Sequence, residues 1–96
     1  MNRFTNKVAV ITGGNSGIGL ATAKEFRRRG ARVVISGRDE KTLAEATAAI
    51  GGDTLAVRAD VSRLGDLDEL FARTRKRFGS IDVLLTRQES RSAFPG

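Results

Sequence analysis

The chain has 96 residues, 40% of them hydrophobic, and its 17 Lys and Arg against 11 Asp and Glu give a net charge of +6. This length and balance fit one small globular domain and exclude a disordered chain. Cys, His, Tyr and Trp are all absent, which removes disulfide, thiolate and imidazole chemistry and leaves Ser, Thr, Asp, Glu, Lys and Arg as the reactive side chains.

The first apolar run, KVAVIT at residues 7–12, is short, rich in β-branched residues and closed by Gly13 and Gly14. It reads as a strand buried on both faces. It is too short for a signal peptide, and no stretch of the sequence is long enough to span a membrane, so the expected location is the cytoplasm. Residues 17–29 read as a helix, with Gly30 as its stop. ARVVIS at 31–36 repeats the strand signal. Asp39 is placed to cap a helix running to about Ile50, with Leu43, Ala46 and Ile50 on one apolar stripe. After Gly51 and Gly52, TLAVR at 54–58 reads as a third strand. Asp60 and Ser62 bracket the expected start of a third helix, whose apolar face is Leu67, Leu70, Phe71, Thr74 and Phe78. Gly79 closes it, and IDVLL at 81–85 reads as a fourth strand.

Strands alternating with helices through short connections predict an α/β fold: a parallel sheet with right-handed crossovers. The basic balance raises a polyanion such as nucleic acid as a partner. Against it, the cations are spread along the whole chain, and Arg27, Arg28 and Arg29 sit where a helix C-terminus favours cations. The only aromatics are five Phe, so no stacking platform is visible. Solvated helix surface is the preferred reading, and a basic nucleic-acid-binding domain is kept as an alternative.

The first strand runs directly into TGGNSGIG at 12–19, and a helix opens inside that segment. A helix N-terminus offers unpaired N–H groups and a favourable dipole to a phosphate, and glycines let the backbone approach it. In this reading Gly13 makes the turn, Gly17 admits the phosphate and Gly19 lets the helix pack near the strand, while Asn15 and Ser16 add side-chain hydrogen bonds. The loop holds no Lys, which disfavours a P-loop triphosphatase.

TGGNSGIG resembles the TGxxxGIG fingerprint of the short-chain dehydrogenases/reductases. SGR at 36–38, RADVS at 58–62 and RFGSIDVL at 77–84 resemble three further segments of that family, and the likeness covers residues 5–85. It implies a Rossmann-like sheet of four strands in the order 3-2-1-4 with three helices, a truncated dinucleotide-binding domain over residues 1–85. It also implies a cofactor-binding set of Gly13, Asn15, Ser16, Gly17, Ile18, Gly19, Arg38, Asp60 and Val61. Asp60 would accept from the adenine amino group while the Val61 backbone meets the ring. A carboxylate at the end of the second strand would bind a ribose 2′-hydroxyl and repel a 2′-phosphate. Gly37 followed by Arg38 stands there instead, so NADP is preferred as cofactor over NAD.

The family's activity is hydride transfer between a nicotinamide and a carbonyl or alcohol, using a Ser, a Tyr and a Lys four residues after the Tyr. With no Tyr in the chain, and with Lys7, Lys24, Lys41 and Lys76 all in the nucleotide-binding half, no catalytic residue carries over and the isolated chain is expected not to turn over. A dinucleotide-binding module acting through a partner is the second alternative. No metal site is expected, because Asp66, Asp68 and Glu69 read as acids complementing a helix dipole. TRQE at 86–89 departs from the family's Asn-Asn-Ala-Gly-like turn, so residues 86–96 are expected to form an unstructured tail foreign to the family; a frameshift in the gene is one account of it. One helix alone on one sheet face, together with a fourth strand at the edge, predicts exposed apolar surface and self-association.

Overall fold

The computed structural model describes residues 4–86. Its elements are β1 (Val8–Thr12), α1 (Gly17–Arg28), β2 (Arg32–Gly37), α2 (Glu40–Ile50), β3 (Thr54–Arg58), α3 (Leu64–Phe78) and β4 (Val83–Leu85). The four strands form one parallel sheet in the order β3-β2-β1-β4. The α/β reading, the strand order and the three helices are therefore as expected. Of the predicted tail at 86–96, all but Thr86 lies outside the described residues.

The continuous apolar runs of β1 and β2 follow from burial on both faces. Every residue of β1 is buried, as are Val33, Val34, Ile35 and Ser36 of β2. Side chains alternate between the faces. Ile11, Val33 and Ile35 pack with Ala23 of α1 and with Leu43 and Ala46 of α2. On the opposite face Val8, Val10, Val34 and Val57 pack on Leu70 of α3, flanked by Leu67, Phe71 and Phe78. Two helices cover one face and a single helix covers the other.

Several boundaries differ from the sequence reading, each for a local reason. The first helix ends at Arg28, with Arg29 as its C-cap. Ala31 N–H still returns to the Phe26 carbonyl at 3.0 Å, so strand pairing starts at Arg32. Helix α3 starts at Leu64 with Arg63 at its N-cap. Asp60 and Ser62 stand outside it because they bond each other: Asp60 Oδ1 accepts from the Ser62 amide at 3.0 Å and from its hydroxyl at 2.6 Å. Asp66, in the first turn, reaches back to accept from Asp60 N–H at 2.8 Å. The fourth strand begins at Val83 because Asp82 is spent on Val8. The Asp82 carboxylate accepts from Val8 N–H, and Asp82 N–H donates to the Val8 carbonyl, both at 2.9 Å.

At the sheet edge β4 pairs only with β1 among the described strands. Its Leu84 is 46% exposed and Leu85 37% exposed. These are the exposed apolar side chains expected of a sheet face covered thinly at its margin.

Candidate cofactor-binding site

All strands of a parallel sheet point the same way, so the loops that leave their C-terminal ends gather on one edge. Here the β1–α1, β2–α2 and β3–α3 loops enclose an open cleft of about 740 Å³. Gly13, Asn15 and Ser16 line it from the first loop, Arg38 from the second, and Asp60 and Val61 from the third. Gly17, Ile18 and Gly19 of the expected set do not line it. They form the first turn of α1 behind the loop, with Ile18 74% exposed.

The glycine turn is built by backbone constraints. Gly13 has φ 71°, a left-handed conformation that suits glycine, and its N–H donates to the Ser36 carbonyl at 2.9 Å. This ties the end of β1 to the end of β2. A Cβ on Gly19 would overlap the Gly13 carbonyl oxygen and lie 2.8 Å from its carbon, so α1 approaches the turn as closely as backbone allows. Gly14 performs a similar service toward the sheet, since a Cβ there would stand 2.5 Å from Ile35 Cγ2. Sequence reasoning did not single out Gly14; the only signal was its place in a glycine pair. Ser16 is the N-cap of α1 in extended conformation, and its hydroxyl makes no capping bond.

Asn15 bridges to the second helix: its Nδ2 donates to Thr42 Oγ1 at 2.7 Å. A Cβ on Gly37 would lie 2.7 Å from the Asn15 carboxamide, so the end of β2 has room for that amide only because residue 37 has no side chain. Asp39 caps α2 as expected, accepting from Lys41 N–H at 3.0 Å. Arg38 is exposed, and its carbonyl accepts from Arg58 Nε at 3.1 Å.

Asp60 is held anionic. The Ser62 hydroxyl and then the Ser62 amide stabilise its carboxylate, with Arg38 and Arg63 adding attraction, and its pKa falls below the usual aspartate value. Both Ser62 bonds fall on Oδ1, which leaves Oδ2 as an acceptor. One wall atom has no partner at all among the described residues: Ser36 Oγ is buried and unbonded, and Ser36 lines the cleft.

A second open hollow, of about 630 Å³, lies between β3 and α3, where Leu55 meets Arg73, Lys76 and Arg77. It has no glycine turn and sits away from the C-terminal ends of the strands. Arg27, Arg28 and Arg29, the densest cationic run, are largely committed within the protein. Arg27 donates to the Ala31 carbonyl at 3.0 Å, and Arg28 and Arg29 both pair with Glu25 at 2.6 Å. Among the described residues no group of acidic side chains is placed to hold a metal ion, and no helix is long and apolar enough to cross a membrane.

The sequence profile of the short chain dehydrogenase family matches residues 7–87. Oxidoreductase asL5 of Sarocladium schorii is 43% identical over 95 residues, covering 99% of this chain and 38% of its own length. A short chain dehydrogenase from Bacillus anthracis superposes with a TM-score of 0.84 at 39% identity, covering 88% of this chain and 35% of that one. The 3-ketoacyl-(acyl-carrier-protein) reductase of Brucella melitensis, solved in complex with NADH, gives a TM-score of 0.81 at 41% identity, over 84% of this chain and 34% of that one. The chain thus spans little more than a third of the length of these relatives. With the profile matching most of its residues, and with its fold superposing on solved members, the chain belongs to the short chain dehydrogenase family.

Proposed function

We propose that this chain is the NADP(H)-binding part of an oxidoreductase that moves hydride between a nicotinamide and a carbonyl or alcohol. One observation carries the reading: the glycine turn, Arg38 and Asp60 line a single cleft at the C-terminal edge of the sheet. The residues suit the group. A left-handed Gly13 and a side-chain-free Gly19 give a turn that a dinucleotide pyrophosphate can approach. The unbonded Ser36 hydroxyl is a buried polar atom in want of a partner.

In this reading the backbone at Gly13, Asn15 and Ser16 receives the pyrophosphate on the positive end of α1. Oδ2 of Asp60 accepts from the adenine amino group, and the Val61 backbone meets the ring. The anionic state of Asp60 keeps that oxygen an acceptor throughout the neutral range. Arg38 faces the ribose 2′ position, where its planar fork suits a phosphate. No carboxylate stands at residue 37 to repel one. NAD(H) enters the same cleft with the contact to Arg38 reduced. A bound nicotinamide supplies the hydride donor or acceptor; the residues of this chain hold the adenosine and pyrophosphate end.

The general acid is expected from outside these 96 residues, since the chain has no Tyr and proton transfer needs a donor within hydrogen-bond reach of the substrate oxygen. Titration of the chain with NADPH and NADH tests the proposal. Binding of both, with NADPH tighter, supports it. Arg38→Ala should lower the NADPH affinity toward that for NADH, and an unchanged ratio removes the role given to Arg38. Reductase turnover by the purified chain would overturn the claim that the general acid lies elsewhere.

A further inference from the structure

The contact between Asn15 and Thr42 has a direction that the hydrogen bonds themselves determine. A threonine hydroxyl has one proton to give. Thr42 Oγ1 gives it to the Asp39 carbonyl, at 3.0 Å, in the first turn of α2. Toward Asn15, 2.7 Å away, the same oxygen can therefore only accept. Asn15 must present its NH₂ to Thr42, and the choice between the two amide orientations, otherwise open, is closed. The opposite atom, Oδ1, accepts no bond from the described residues and is not buried, and Asn15 lines the cleft.

We infer that Thr42 is a positioning residue of the cofactor cleft: its hydroxyl locks the Asn15 carboxamide so that a carbonyl oxygen, and not an amide N–H, is offered to a ribose hydroxyl. This rests on the dinucleotide-binding reading above and adds a residue to it from 27 positions along the chain. A carbonyl oxygen can take a hydroxyl proton but has nothing to give a phosphate oxygen. Asn15 and Arg38 thus divide the ribose between them, the amide reading a hydroxyl and the guanidinium reading a phosphate where one is present. Because a ribose hydroxyl is common to NADP and NAD, the lock strengthens both. It also joins the glycine turn to the first turn of α2, beside Arg38, so that the two loops hold one shape before a ligand arrives.

The test compares Thr42→Val, Thr42→Ser, Asn15→Ala and the Thr42→Val/Asn15→Ala double variant, each titrated calorimetrically with NADPH and with NADH. Valine keeps the shape of threonine and removes the hydroxyl. Thr42→Val should weaken both cofactors by about fivefold, the worth of one neutral hydrogen bond, and leave the NADPH-to-NADH ratio unchanged, whereas Thr42→Ser restores affinity. In the Asn15→Ala background Thr42→Val should cost nothing further, an outcome that general loosening of α2 would not produce. Wild-type affinity in Thr42→Val, or full additivity in the double variant, overturns the inference. If Thr42→Val does not fold, the side-chain amide signals of Asn15 in the wild-type chain decide it. Slow hydrogen exchange of the amide relative to the exposed Asn6 side chain, with a through-space contact from the NH₂ to Thr42, is expected, and exchange as fast as that of Asn6 or no such contact refutes the lock. Failure of the wild type to bind either dinucleotide instead overturns the proposed function itself.

Discussion

Replacing Gly19 by alanine puts the packing argument at its sharpest. The added Cβ would sit 2.8 Å from the Gly13 carbonyl carbon and 3.2 Å from Gly14 Cα, and would overlap the Gly13 oxygen. Carbon atoms rest at about 3.5 Å or more from one another, so α1 must withdraw by at least roughly 0.7 Å, and further to clear the oxygen, or the turn must deform. All three neighbours are backbone atoms, so no side chain can swing aside. Overpacking of this kind costs about 1–3 kcal/mol, and the rigid backbone places it near the upper end. Alanine recovers about 1 kcal/mol through its better helix propensity. The net loss is then about 2 kcal/mol, from a domain whose size suggests a total of roughly 5–14 kcal/mol. A melting temperature lower by about 8–16 °C follows.

The same chain supplies the control. Gly65 lies in the first turn of α3, and a Cβ there meets nothing within 4 Å. Gly65→Ala should therefore raise stability by about 0.5–1 kcal/mol. Thermal melts of the two variants followed by circular dichroism, with urea titrations alongside, measure both signs. If Gly19→Ala melts at or above the wild type, moving with Gly65→Ala, the close contact between α1 and the glycine turn is refuted. The part given to Gly19 in shaping a turn that a pyrophosphate can approach goes with it.

Three further outcomes are expected. Hydrogen bonds from Arg28 and then Arg29 push the Glu25 carboxyl down to about 2 from 4.5; its folded pKa lies below the unfolded one, so its contribution is present above about pH 4.5 and is lost as pH falls toward 2, and the difference in melting temperature between wild type and Glu25→Gln should shrink over that interval. The exposed Leu84 and Leu85 on the edge strand should drive self-association, visible in sedimentation and reduced by Leu84→Lys, and a monomer at every concentration tested would remove this expectation. Gly37→Asp brings a carboxylate toward the ribose and a Cβ to 2.7 Å from the Asn15 amide; titration should show NADPH binding falling by more than about tenfold and NADH binding failing to improve, because the new side chain displaces Asn15.

What could be read from the sequence was whatever depends on local pattern. The apolar runs of β1 and β2 are unambiguous because both faces of those strands are buried, and the stripe of Leu67, Leu70, Phe71, Thr74 and Phe78 identifies the face that α3 turns to the sheet. The glycine spacing located the turn. Helix and strand ends were less legible, since they depend on which polar side chain takes which backbone group. Asp60 and Ser62 both qualify as caps by type, yet they bond each other, and α3 starts later with Arg63 at its N-cap. Asp82 reads as part of a strand but is engaged with Val8, 74 positions away. The contacts that shape the cleft wall are also tertiary. Nothing near Gly14 announces Ile35, and nothing near Asn15 announces Thr42.

The cleft wall has a further consequence for how cofactor preference is encoded. If residue 37 alone set the choice, exchanging glycine for an acid would suffice to favour the unphosphorylated cofactor. In this fold the space above Gly37 is already filled by the Asn15 carboxamide, which is held in turn by Thr42 and, through it, by the Asp39 carbonyl. An acid at 37 would have to displace the Asn15 carboxamide, the group proposed above to receive a ribose hydroxyl. In our reading, preference is a property of four positions that must change together: a side chain at 37, a smaller residue at 15, a relaxed partner at 42 and loss of the guanidinium at 38. Neighbours in contact do not contribute additively, so single substitutions here should lower affinity more readily than they redirect it.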